Sequence, residues 1–180
     1  MIKISASYHR TFNFPASLDA CFSYYASLNQ TLSFLPHISI VKSYNSNQFR
    51  VLYNTTELGI YRVNILCDVQ MDVDPTGNRL IIQPFHNGTI PTKSSFGLYS
   101  LTGQGYYSSE SIFSADGTQT LIDFKLHMHS NLPVPLALRP MPEKVISKVA
   151  NDITYWRMRE IADGFMQRSI QAFTSSKTLT

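Results

Sequence analysis

The chain has 180 residues, 43% of them hydrophobic and 15% charged, and a net charge of +3 from 15 basic and 12 acidic side chains. That much apolar surface excludes a disordered chain, and cations that form no run exclude a nucleic-acid footprint. No apolar stretch approaches a membrane span, and the alternating N-terminus lacks the continuous apolar core of a secretory leader; a cytoplasmic protein is expected, with weak attraction to an anionic membrane surface left open.

In chain order, Ile2, Ile4, Ala6, Tyr8, Phe12 and Phe14 alternate with polar residues such as Lys3, Ser5, His9 and Asn13, the period of a half-buried strand. Pro15 ends it, and Ser17 can cap a short helix with Leu18, Cys21, Phe22, Tyr25 and Leu28 on its apolar side. A second helical turn over 30–35 stops at Pro36. Cys21 and Cys67 lie far apart without metal-ligand spacing and read as small hydrophobes.

From residue 39 the pattern becomes strands separated by turns. Runs over 39–44 and 49–53 meet at Asn45-Ser46-Asn47. The clearest strand spans 61–73, where Tyr61, Val63, Ile65, Cys67, Val69, Met71 and Val73 share one face. Pro75-Thr76-Gly77-Asn78 turns the chain into a strand over 79–84. The aperiodic segment 85–95 reads as a loop, and Gly103 and Gly105 suggest a turn or bulge between strands over 96–101 and 105–113. Asp116-Gly117 leads into 120–129, with Ile122, Phe124, Leu126 and Met128 on the apolar face and Asp123, Lys125, His127 and His129 on the polar one.

The prolines of 132–142 remove backbone donors and fix φ, which makes a stiff connector. Residues 143–173 then read as one long helix, with Val145, Val149, Ile153, Trp156, Ile161, Phe165, Met166, Ile170 and Phe173 at three- and four-residue steps. Pro140 and Pro142 precede it and Glu143 puts negative charge in its first turn. Gly164 interrupts the stripe, marking close packing or a bend, and 174–180 reads as a polar tail. Consecutive strands with helices on one side make an α+β fold, an antiparallel sheet curled around the long helix, with 1–173 as a single domain.

The opening strand running into Phe14-Pro15-Ala16-Ser17-Leu18-Asp19-Ala20-Cys21-Phe22, the second helix ending in Leu35-Pro36 and the closing amphipathic helix resemble the helix-grip fold of the START and Bet v 1-like (SRPBCC) superfamily, which includes polyketide cyclases, lipid-transfer domains and plant hormone receptors. The prolines of 132–142 and the helix after them also resemble an uncharacterised, DUF-type branch of cyanobacteria and plastids. The resemblance covers nearly the whole chain. It implies a cavity between the concave sheet and the C-terminal helix, used in relatives to hold lipids, steroids, hormones or polyketides.

The chain carries no nucleophile elbow, Cys/His pairing, phosphate loop or dinucleotide fingerprint. His127 and His129 at i and i+2 can serve a metal, but they share the polar face with Asp123 and Lys125 and find no third ligand, so neither a metal nor a cofactor is expected. The side chains expected to line a ligand pocket are Tyr53, Tyr61, Val63, Ile65, Phe124, Leu126 and Trp156, with Arg10 and Glu110 as polar candidates. Arg10 falls on the apolar face of the first strand, where a guanidinium can pair with a ligand carboxylate or an internal acid. Glu110 has no facing fixed by alternation; buried, it would have a raised pKa. The expected function is non-catalytic binding or transport of a hydrophobic small molecule or lipid, with access gated by 85–95 and 132–142. A cyclase, aromatase or isomerase using Arg10, Glu110 or Tyr61 in the same pocket is one alternative, and a structural or assembly factor is another.

Overall fold

In the computed structural model, which describes residues 1–86 and 95–177, the alternating N-terminal run forms β1 (Ile2–Phe14) with its even-numbered side chains turned inward. Extended Ser17 precedes α1 (Leu18–Tyr25), though its hydroxyl makes no cap bond, and α2 (Leu28–Ser33) follows. Then come β2 (Ile38–Asn45), β3 (Gln48–Glu57), β4 (Tyr61–Asp74), β5 (Arg79–Pro84), the two-residue β6 (Ser95–Phe96), β7 (Ser100–Asp116) and β8 (Gln119–Leu132). A 3-10 turn at Leu136–Leu138 interrupts the proline connector before α3 (Glu143–Lys177). α3 runs past Phe173, so residues 174–177, expected as tail, are helical.

The strands form one sheet in the order β1-β8-β7-β5-β4-β3-β2, with β6 paired to β7. Neighbours are antiparallel except at one stretch. β5 stops at Pro84, and beyond it Arg62 to Leu66 of β4 pair in parallel with Ser100 to Gln104 of β7. β7 is one continuous strand where two were expected. Gly103 and Gly105 make no turn in it; they lie on its inward side, where a Cβ would come within 2.6 Å of Leu132 and 2.5 Å of Ile65 respectively. The long C-terminal helix packed on this sheet, with two short helices after β1, is the helix-grip α+β arrangement. No helix among the described residues is long and apolar enough to cross a membrane.

The space between helix and sheet is filled unevenly. Around the C-terminal half of α3, α1 and α2 contribute an aromatic cluster: Phe165 stacks on Phe124 at 4.6 Å between ring centroids and meets Tyr25 at 5.5 Å, and Tyr25 meets Phe14 at 5.3 Å. The Tyr25 hydroxyl donates to Ser169 Oγ at 2.6 Å, which satisfies both buried groups. Toward its N-terminal half α3 stays along β1, where Ser5 N donates to Asn151 Oδ1 at 3.1 Å and covers a sheet edge that would otherwise be open. There the helix stands off from β3 and β4.

Gly164 marks close packing. A Cβ there would lie 2.3 Å from Cγ of Pro36, part of a rigid ring that follows α2. A Gly to Ala change inside a helix ordinarily gains about 1 kcal/mol. Here the clash is expected to reverse that sign, so Gly164→Ala should unfold at lower urea than wild type and Gly164→Val at lower urea still, with a loss of about 1–3 kcal/mol for overpacking.

Candidate functional site

The buried stripe of α3 runs through Ile146, Thr154, Met158, Ile161, Ala162, Phe165 and Ser169. Two of these are polar and satisfied locally: Thr154 Oγ1 donates to Ala150 O at 2.7 Å, and Ser169 Oγ donates to Met166 O at 3.1 Å. The stripe therefore differs from the one drawn by apolar residues alone. At about 100° per residue, Trp156 lies two positions from both Thr154 and Met158, hence on the far side, and it is 70% exposed.

Where α3 stands off from β3 and β4, a cavity of about 450 Å³ opens between helix and sheet. The sheet wall is Ile2 and Ile4 of β1, Tyr53 of β3, Tyr61, Val63 and Ile65 of β4, Leu101 of β7, and Met128 and Leu132 of β8. Ile146, Ala150, Ile153, Met158 and Ile161 form the helix wall, and Pro135, Leu138 and Met141 of the connector close one end. Leu58, Met141 and Val149 line the cavity yet are exposed, which places its mouth between the β3–β4 turn, the connector and the start of α3.

Among the described residues, two charged side chains line this wall, and they face each other. Arg157 Nε donates to Glu57 Oε1 at 2.9 Å and Nη2 to Oε2 at 3.1 Å, a bidentate pair that ties the end of β3 to α3 across the gap. Arg157 Nη1 donates to Glu160 Oε2, and His37 Nε2 lies 2.9 Å from Glu160 Oε1. The hydrogen bond to Glu57, with Glu160 as second acceptor, raises Arg157 above the ordinary arginine range and holds it charged. Burial holds the Tyr53 phenol well above its ordinary range, so it enters the cavity wall as a neutral group.

Burial pushes the Glu160 carboxyl up, but hydrogen bonds from His37 and Arg157 outweigh it and hold the group below the usual carboxylate range. A carboxylate whose folded pKa is depressed stabilises the fold above its unfolded value of about 4.3 and loses that contribution as pH falls through the folded value. Glu160→Gln should thus be less stable than wild type in urea melts at about pH 7 and converge on it near about pH 3.

Of the residues proposed from sequence, Tyr53, Tyr61, Val63 and Ile65 come together on the cavity wall. Phe124 and Leu126 face inward but belong to the packed half, with Phe124 against Phe165. Arg10 also turns inward, yet it pairs with Asp163 of α3 at 3.4 Å, away from the cavity and with its side chain 41% exposed. Glu110 points to the outer face and pairs with Arg79 at 3.3 Å. His127 and His129 are on that outer face too, bonded to Ser7 at 2.7 Å and stacked on Tyr106 respectively. Residues 87–94, most of the expected gating loop, lie outside the described residues. Sequence reasoning missed Glu57 and Arg157; the signal present was a carboxylate beside the Leu58-Gly59 turn, while Arg157 falls outside the run of apolar residues used to draw the helix stripe.

Comparison with known proteins shows the fold. No protein-family model and no curated protein matches the chain in sequence. The protein TTHA0849 of Thermus thermophilus superposes with a TM-score of 0.55 at 14% identity, covering 93% of this chain and 98% of that one. A Bacillus thuringiensis protein gives 0.51 at 10% identity over 94% and 99% of the two chains. The di-domain aromatase/cyclase StfQ of the steffimycin biosynthetic pathway gives 0.53 at 9% identity over 98% of this chain and 53% of that one, so this chain spans about half of it. At these identities the likeness to the three structures is one of fold, the helix-grip arrangement of an antiparallel sheet and a long C-terminal helix.

Proposed function

We propose that the protein binds or carries a hydrophobic small molecule or lipid in this cavity without transforming it. The observation that carries the reading is the cavity itself: about 450 Å³, walled by aliphatic and aromatic side chains, its charged groups engaged with each other. Cavities of roughly 300–1,000 Å³ with such linings suit ligands of drug or lipid size. A cyclase, aromatase or isomerase would need polar groups converging inside; of the three residues offered for that role Arg10 and Glu110 are paired elsewhere, and Tyr61 alone lies on the cavity wall. The third reading, a structural or assembly factor, fits a filled interior better than this one.

The mouth supports exchange at an apolar surface. Leu58, Ile60, Leu98, Leu136 and Met141 are exposed around it, and backbone bonds from Arg62 N to Tyr99 O and from Leu136 N to Gly97 O hold the three segments side by side. Arg62 and Arg139 flank this rim, so transient contact with an anionic bilayer is part of the proposal. So is membership of the cyanobacterial and plastid branch that the proline connector resembles. The test of ligand binding is native mass spectrometry of purified protein together with titration of the uncharged dye N-phenyl-1-naphthylamine. Saturable one-to-one binding supports the reading and its absence defeats it. Trp156 fluorescence is a poor reporter, because the indole lies on the outside of α3.

A further inference from the structure

We infer that the cavity selects uncharged ligands over carboxylates of the same shape. This rests on the cavity being a ligand site, as proposed above. An arginine in an apolar pocket ordinarily offers its guanidinium to a carboxylate of the ligand. In this wall Arg157 is already engaged by two carboxylates, with three of its five N–H donors committed. Its Nε and Nη2 are spent on the two oxygens of Glu57, and its Nη1 on Glu160. Two carboxylates surround one guanidinium, and the remaining Glu160 oxygen is taken by His37. With His37 neutral the cluster carries one excess negative charge, and with His37 charged it carries none; in neither state is a positive charge available.

The pair is also poorly solvated, the Arg157 side chain being 24% and the Glu57 side chain 13% exposed. A ligand carboxylate would have to displace Glu57, stranding that acid without its partner, or crowd a third carboxylate onto a guanidinium that already holds two. Both are unfavourable, because a poorly solvated charge left without a matching partner loses hydration that nothing replaces. The other polar groups of the wall do not compensate. The Thr154 hydroxyl is already bonded to Ala150 O, and the Tyr53 and Tyr61 phenols supply no positive charge. An alcohol, a ketone or a hydrocarbon enters without these penalties, and one hydroxyl or carbonyl can be met by Tyr53.

The test is displacement of N-phenyl-1-naphthylamine from the full chain by 1-decanol and by decanoate, at about pH 8 where the acid is ionised. Wild type is expected to bind the alcohol at least about tenfold more tightly than the carboxylate. In Glu57→Gln, which frees one face of Arg157, decanoate should gain about tenfold while 1-decanol changes less than about threefold. Decanoate binding to wild type as tightly as 1-decanol overturns the inference and leaves the cavity standing as a ligand site. Failure of the dye and of both competitors to bind overturns the site itself. Should Glu57→Gln fail to fold, the wild-type ratio alone still decides.

Discussion

Phe165→Ala is expected to be the most damaging single truncation in the chain, costing about 3–5 kcal/mol of stability. Phe165 is 2% exposed and is the ring on which three parts of the fold meet: Phe124 of β8, Tyr25 of α1, and Phe34 just after α2 at 6.4 Å. Removing it takes away the transfer free energy of an aromatic ring and leaves a hole that the sheet, held in register by β7 and β8, cannot collapse into. At about 2–4 °C per kcal/mol for a chain of this size, the melting temperature should fall by roughly 6–20 °C. A loss below about 1 kcal/mol would mean that the aromatic cluster is not what anchors α3.

The opposite half of the same helix should respond in the opposite way. Ala150 lies on the cavity wall one turn before Thr154, and Ala150→Phe would send a ring into the empty space. In a packed interior that substitution costs about 1–3 kcal/mol, whereas a ring entering an unfilled apolar cavity gains contacts and leaves stability equal or higher. Ligand binding should suffer instead, with dye affinity reduced at least about tenfold because the ring and the dye compete for one volume. Thermal melts and the dye titration on the same sample separate the two effects. A destabilised variant that still binds dye would contradict the placement of the cavity.

The contrast between the two halves of α3 shows what could be read in the sequence. β1 and β4 were legible because a single buried face writes strict alternation, as in Tyr61, Val63, Ile65, Cys67 and Val69. The helix-grip order of elements was legible for the same reason. β7 was not: its inward side carries Gly103, Gly105 and Ser109, whose small side chains erase the alternation although the strand is continuous. Glu110 therefore had no readable facing, and the pairing with β8 turns it outward.

The helix misled in a different way. Its inward stripe includes Thr154 and Ser169, which bury at little cost because each bonds to the preceding turn, while the large apolar Trp156 sits in water. Apolarity alone thus rotated the stripe and put Trp156 into the pocket. Arg10 was placed on the correct face of β1, but the face continues past the cavity to a point where Asp163 meets it. The cavity was legible only through the resemblance, because a cavity is made of contacts that do not form and no local pattern encodes them.

The central claim, that sheet and helix part around Ile65, Met128, Ile153 and Met158 to leave an apolar hollow, is tested most directly by diffraction from crystals pressurised with xenon. Xenon occupies dry apolar cavities of this kind. The account predicts xenon density enclosed by those four side chains, and none within the aromatic cluster around Phe165. Side chains packed in contact across that gap, with no xenon between them, would contradict it.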